Sequence, residues 1–201
     1  MIYRFQYTAF LKSGFDIEDI LQQAKKEAQQ VMSEGLCLTV SLFRYKNELY
    51  LYFESTDNSL APDMILPSME KCLEADWTFM ENVYYTSVAS DKEYWARCGE
   101  KKPVGRLGRL VPQKKDSYVY YHKEIMKEGL FEGDKYLFIG LLENTLFLYS
   151  ETPDIMTHIR SDLTEESKVI EKWRSVNPKS HFDHDFSGEG NFVYMEELLG
   201  F

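Results

Sequence analysis

The segment at residues 47–57, NELYLYFESTD, returns at residues 144–154 as NTLFLYSETPD. Asn47, Leu49, Leu51, Tyr52, Glu54 and Asp57 recur as Asn144, Leu146, Leu148, Tyr149, Glu151 and Asp154. Tyr50 is matched by Phe147 and Ser55 by Thr152, both conservative changes, and Trp77 has a counterpart in Trp173. In a chain of 201 residues this period is close to half the length. That is a duplicated domain and not a solenoid, whose repeats run ~20–50 residues. Two similar halves are expected, 1–98 and 99–201.

Each half reads in the same order. In the first, IYRFQYTAFL is a strand. Residues 16–34 then place Ile17, Ile20, Leu21, Ala24, Ala28, Val31 and Met32 on one helical stripe, which Gly35 ends. CLTVSLFRY and ELYLYFES form a hairpin through Lys46-Asn47. A helix is expected around 67–79, and NVYYTSV is the closing strand. In the second half the strand is VGRLGRLV, and the helix at 116–128 is followed by Gly129. KYLFIGLL and TLFLYSE pair through Glu143-Asn144, with Pro153 ending the second of them. A helix at 164–173 and the strand NFVYMEELL complete the half.

Strand–helix–strand–strand–helix–strand is the ferredoxin-like order. Helices on one side of such a sheet leave its other face uncovered, and both halves carry apolar and aromatic residues all along their strands. The expected fold is α+β: two tandem ferredoxin-like repeats packed sheet to sheet as an α+β barrel within one chain.

The bulk properties exclude several classes. A net charge of −10 runs against nucleic-acid binding, which relies on clustered Lys and Arg. The basic stretch at 101–115, KKPVGRLGRLVPQKK, is broken by glycine and proline and reads as a linker flanking a strand. Cys37, Cys72 and Cys98 cannot all pair and form no C-x-x-C motif, as in a reduced, intracellular chain. MIYRFQYTAF lacks the apolar core of a secretory signal. No stretch approaches the ~18 apolar residues of a membrane helix. The expected location is the cytoplasm. No G-x-G-x-x-G, P-loop, G-x-S-x-G or H-E-x-x-H pattern occurs, and the two glycines of GRLGRL read as strand flexibility.

DSYVYYHKEIM, at 116–126, carries the principal candidate. Tyr118, His122, Ile125 and Met126 fall at i, i+4, i+7 and i+8, one continuous stripe directed at the sheet. The spacing fits a tyrosine and a hydrogen-bonded histidine in a core. The same geometry also allows a proton-transfer pair, since imidazole titrates near neutrality and a tyrosine one turn earlier can orient it or bind a substrate oxygen. The repeat bears on this choice. No histidine precedes His122, so the first half has no counterpart, as expected if one half carries a site and the other supports it.

The second half resembles the L-rhamnose mutarotase family of small, dimeric, ferredoxin-like sugar epimerases. The resemblance rests on Pro112, Tyr118, His122 and Ile125 in PQKKDSYVYYHKEI, on Tyr136, and on Asn144, Leu146, Phe147 and Glu151 in NTLFLYSE. Asn177-Pro178 and the closing MEELLGF extend it over 106–201. It implies general acid catalysis by His122 with Tyr118 assisting in a sugar pocket, and interconversion of sugar anomers without metal or cofactor. It also implies that the family's homodimer is here a pseudo-dimer in one chain, a monomer or a homodimer of such chains, with a small-molecule sugar as partner and no nucleic acid or membrane. Tyr136 and Asn177 become candidate substrate contacts on the same ground. The chain departs from the family where Met126-Lys127 replace Trp-Pro and where Trp173 stands without a paired tryptophan.

Other candidates follow from residue chemistry. Trp173 offers a flat apolar surface for a sugar face, or a core ring like Trp77. Arg106 and Arg109 lie an odd number apart on a strand and so face opposite sides, one of them toward the cleft. HFDHD, with His181, Asp183, His184 and Asp185, matches no closed zinc spacing and reads as a solvated loop over the pocket mouth. Two further readings use the same fold: a non-catalytic module binding a small ligand or a protein, and an oxidative enzyme with a histidine near a haem or substrate.

Overall fold

The structure, a computed structural model, describes residues 1–129, 132–158 and 167–201. Strand β1 (Tyr3–Phe10) leads into α1 (Glu18–Ser33), and the hairpin β2 (Cys37–Tyr45) and β3 (Glu48–Ser55) follows. Next come α2 (Pro62–Ile65), a 3₁₀ turn (Pro67–Cys72), β4 (Thr78–Phe79), β5 (Glu81–Tyr85) and α3 (Lys92–Trp95). The second half begins with β6 (Lys102–Arg109), a 3₁₀ turn (Pro112–Lys114) and α4 (Lys115–Glu128). It continues through β7 (Glu132–Asp134), β8 (Phe138–Leu142), β9 (Thr145–Thr152) and β10 (Met156–His158). Then α5 (Lys168–Ser175), a 3₁₀ turn (Pro178–His181), α6 (His184–Ser187), β11 (Val193–Tyr194) and β12 (Glu196–Gly200) close the chain. The class is mixed α+β with two five-stranded antiparallel sheets, ordered β12-β2-β3-β1-β4 and β11-β6-β9-β8-β5. No helix among the described residues is long and apolar enough to cross a membrane.

The repeat is realised as matching hairpins. Tyr45 faces Glu48 across one two-residue turn and Leu142 faces Thr145 across the other. The first turn residue is left-handed in both, Lys46 at φ 58° and Glu143 at φ 52°. Side chains two apart share a strand face. Tyr52 therefore reaches Glu54 (Oη to Oε1, 2.5 Å), and Tyr149 reaches Glu151 (2.9 Å), each the donor.

Two compact units result, and they are not the consecutive halves 1–98 and 99–201. Unit 1 comprises residues 1–80, 89–103 and 195–201; unit 2 comprises 81–88 and 104–194. The closing segment of each half is the reason. NVYYTSV was expected to close the first half, yet β5 pairs with β8, while β4 stays beside β1. NFVYMEELL divides likewise: β11 pairs with β6 and β12 with β2.

In unit 1 the α1 stripe, Leu21, Ala24, Ala28 and Val31, is buried and packs with Val40, Leu42, Leu51 and Phe53 of the sheet. The helix expected at 67–79 is absent. Pro67 disfavours a helical Leu66, which sits at φ −130°, ψ 60°, so α2 ends there. After the 3₁₀ turn Leu73 bridges to Leu11, and Glu74 N donates to Phe10 O at 2.8 Å, so the chain is drawn out along β1. On the sheet face turned away from α1, Phe43, Tyr50 and Tyr52 are also buried. Glu54 lies on that face. Its carboxylate accepts from Arg97 (2.5 and 3.0 Å), Trp95 Nε1 (2.8 Å) and Tyr52, with Arg4 Nε at 3.8 Å.

In unit 2, Tyr118 and Ile125 are the buried positions of α4, and Gly129, left-handed at φ 62°, ends the helix as expected. Tyr118 joins Val83, Leu110, Ile139, Leu141, Leu146, Leu148 and Phe182 in one core cluster. The helix expected at 164–173 is α5, capped by Ser167, whose hydroxyl accepts from Val169 N and Ile170 N; residues 164–166 of that expectation lie outside the described residues.

Candidate functional site

One turn of α4 separates Tyr118 from His122, and the two rings stack with centroids 3.8 Å apart at 25°. His122 Nδ1 lies 2.8 Å from the main-chain oxygen of Tyr118. A carbonyl only accepts, so Nδ1 carries the proton and Nε2 holds the lone pair. Among the described residues Nε2 has no hydrogen-bond partner.

Aromatic rings enclose the pair. Tyr84 of β5 meets His122 edge-on at 5.1 Å, and Trp173 of α5 does so at 5.1 Å and 74°. Trp173 and Phe182 stand edge-on to Tyr118 at 5.9 and 5.7 Å, and Tyr121 lies 5.5 Å from Trp173. Tyr118 is buried, while His122, Tyr84, Tyr121 and Trp173 are half-buried.

Burial dominates the electrostatics. It pushes the His122 imidazole down to about 4; the bond to the Tyr118 carbonyl acts the other way, and His181 adds to the depression. Burial raises the Tyr118 phenol, with Tyr84 contributing, and burial raises Tyr84 itself. At neutral pH the His122, Tyr118 and Tyr84 side chains are therefore uncharged, with a ring nitrogen on His122 able to accept a proton from a ligand that reaches it.

The structure brings together three expected site residues, Tyr118, His122 and Trp173. Tyr136 is fully buried, with the Lys135 ammonium 5.2 Å over its ring, so it does not stand on a solvent-open wall as a substrate contact would. Asn177 is exposed and left-handed at φ 54°. Its main-chain oxygen accepts from Ser180 N at 2.9 Å, so it shapes a turn. Arg109 sits 4.7 Å over the Phe186 ring, and Arg106 lies 5.3 Å over Tyr194 with Nη2 3.5 Å from Ser150 Oγ.

HFDHD is not a solvated loop. His181 and Phe182 are buried, and Phe182 bridges to Leu110. Asp183 caps α6 by accepting from Asp185 N and Phe186 N. His184 lies with Nε2 2.9 Å from Lys179 O and Nδ1 2.9 Å from Gly188 O. No group of three His, Cys, Asp or Glu side chains among the described residues is placed to hold a metal ion. His181, read in the sequence as part of a solvated loop over the pocket mouth, is instead buried, with its ring 4.6 Å from Trp173. The apolar Phe182 inside a polar stretch was the one sign of burial there.

Unit 1 differs at the corresponding tryptophan. Trp77 lines a cavity of about 690 Å³ with Tyr7, Asp63, Glu70, Glu74 and Asp76, and no histidine is present in that lining.

No protein-family model matches the chain, and no curated protein matches it. Solved structures do resemble it. A candidate monooxygenase from Lactobacillus acidophilus NCFM, 10% identical, aligns over 98% of this chain and 94% of its own with a TM-score of 0.50. A candidate monooxygenase from Fusobacterium nucleatum subsp. nucleatum, 14% identical, aligns over 99% and 93% at 0.49. An anthrone oxidase-like protein, 10% identical, aligns over 100% and 96% at 0.45. At such identities the Lactobacillus protein speaks for fold alone, and the two antiparallel sheets are consistent with an α+β barrel-like fold.

Proposed function

We propose that unit 2 binds a small molecule at the Tyr118–His122 pair and that His122 moves a proton there. One observation carries this: Nδ1–H is committed to the Tyr118 carbonyl, which leaves Nε2 a fixed acceptor inside a shell of aromatic rings. A core histidine with both nitrogens satisfied would have no such free function.

The resemblance to L-rhamnose mutarotases supplies the substrate class, a monosaccharide whose C–H-rich face packs on Trp173. Nε2 takes the proton of the anomeric hydroxyl, the bond from C1 to the ring oxygen breaks, C1 becomes an aldehyde, and the ring oxygen takes a proton from solvent. Ring closure on the other face of C1 reverses each step, and the imidazolium returns its proton. No metal or cofactor enters this scheme. Saturation-transfer NMR on anomeric protons tests it with a panel of aldoses. Faster exchange that disappears in His122→Ala supports the reading; no acceleration of any aldose rejects it.

A second reading is favoured by the shell itself, whose flat rings suit a planar ligand, and by the monooxygenase name borne by the Lactobacillus protein of similar fold. Here Nε2 removes a proton from an activated CH₂, the carbanion adds O₂, and the hydroperoxide loses water to leave a ketone. An oxygen electrode separates the two, since mutarotation consumes none. A non-catalytic module would instead show ligand-induced thermal stabilisation that survives His122→Ala.

The finer architecture belongs to the same proposal: two tandem ferredoxin-like repeats within one chain, in the cytoplasm. Its support is the matching hairpin in each unit, with Tyr52 bonded to Glu54 in one and Tyr149 to Glu151 in the other.

A further inference from the structure

We propose that His181 is a positioning residue of this site, holding the Trp173 ring at the angle from which it walls His122. The inference rests on the reading of His122 as the working group.

His181 is 2% exposed and is fixed from both main chain and side chain. Val111 N donates to its carbonyl at 2.9 Å, joining the Pro178–His181 turn to the segment that enters α4. Its Nε2 lies 3.0 Å from Ser117 Oγ in the first turns of α4, and its Nδ1 faces the Asn177 carbonyl at 3.4 Å. Because that carbonyl only accepts, Nδ1 carries the proton, and Nε2 accepts from the Ser117 hydroxyl. The imidazole is thus held in a set plane by a polar bond spanning 64 residues of sequence.

That plane lies 4.6 Å from Trp173 at 56°, and Trp173 in turn stands 5.1 Å from His122. No residue of α5 is buried, so the indole takes its angle from the rings around it: Tyr118, Tyr121 and His122 of α4, and His181, the one among them that a side-chain hydrogen bond ties to a separate segment. If volume alone were required, phenylalanine would fill the place of His181 without the cost of desolvating an imidazole. A directional bond to Ser117 is what phenylalanine cannot supply. The result is a chain of contacts, Ser117–His181–Trp173–His122, that starts and ends on α4 and ties the wall of the site to the helix bearing its proton acceptor.

The test uses the whole protein and needs no substrate. The ring C–H signals of His122 are followed by ¹³C-histidine NMR in wild type, His181→Phe, His181→Gln and Ser117→Ala. These signals report the ring current of Trp173, so they sense its angle. Displacement well beyond linewidth in His181→Phe and Ser117→Ala, with His181→Gln close to wild type, is the expected result. His122 signals that stay in place in Ser117→Ala while the protein remains folded overturn the proposal, whatever happens to thermal stability. So does a His181→Gln displacement as large as that of His181→Phe. Should His181→Phe fail to fold, Ser117→Ala still decides. Where turnover is found in His181→Phe, KM for the monosaccharide rises as its stacking surface turns away, and kcat/KM falls by up to on the order of 10²-fold. A protein without turnover leaves the NMR result standing, so the two readings fail separately.

Discussion

His122 donates its Nδ1 proton to the main-chain carbonyl of Tyr118, the residue whose ring it also stacks on. One helical turn thus fixes the tautomer, the ring plane and the direction of Nε2.

The first prediction concerns pH. His122 is held down to about 4 from an ordinary 6.5, chiefly by burial, and burial also lowers His181. The unfolded chain therefore binds more protons than the native one between these values, and native stability falls as pH drops from 6.5 toward 4. Thermal midpoints measured across that window should fall less steeply in His122→Phe than in wild type. Equal slopes would show that the imidazole is not neutral by burial.

The second concerns Glu54, fully buried between Arg97, Arg4, Trp95 and Tyr52. Burial alone would raise its carboxyl; Arg97, Arg4 and the Tyr52 hydroxyl outweigh that and hold it lowered. Glu54→Gln removes the buried carboxylate charge that Arg97 and Arg4 face and should cost about 3–5 kcal/mol. Urea unfolding gives the value, and a loss under ~1 kcal/mol, typical of exposed pairs, would mean solvent already screens the cluster.

Gly108 supplies the third. The glycines of GRLGRL read as strand flexibility in the sequence, but a Cβ on Gly108 would come within 2.9 Å of two ring carbons of Phe192 and 3.0 Å of Asn191 O. Phe192 stacks edge-on against Phe182 at 5.3 Å, next to Tyr118. Gly108→Ala should therefore destabilise by about 1–3 kcal/mol, as overpacking does. Differential scanning calorimetry on the variant would measure it, and an unchanged midpoint would show that Phe192 swings clear.

The fourth separates wall from framework. Trp173 is half-buried on a helix with no buried residue, so Trp173→Leu should leave the fold intact. Removing the ring face should weaken a bound monosaccharide roughly tenfold, the equivalent of one stacking contact. Sugar-induced thermal shifts in wild type and variant make the comparison; equal shifts would place the ligand elsewhere.

Much of this was legible in the chain where the signal is local. Tyr52 and Glu54 recur as Tyr149 and Glu151 because residues two apart share a strand face, and both pairs are hydrogen-bonded. The stripe Tyr118, His122, Ile125 pointed inward, and Gly129 marked the end of its helix, since 3.6-residue periodicity and a left-handed stop are written in neighbouring residues. Both hairpin turns fell where Lys46-Asn47 and Glu143-Asn144 placed them. By contrast, the fate of NVYYTSV and NFVYMEELL depended on which open sheet edge accepts a strand, a choice between partners far apart in sequence. HFDHD looked solvated because its composition is polar; only packing shows that Ser117 satisfies His181 and that Phe182 is covered. The sequence by itself determined the two matching hairpins and the helix that carries Tyr118 and His122, because periodicity and turn chemistry act over a few residues. Tertiary structure alone decided that burial holds the His122 imidazole neutral and that Trp173 stands beside it with His181 against Trp173, because desolvation and ring contacts arise only when distant segments meet.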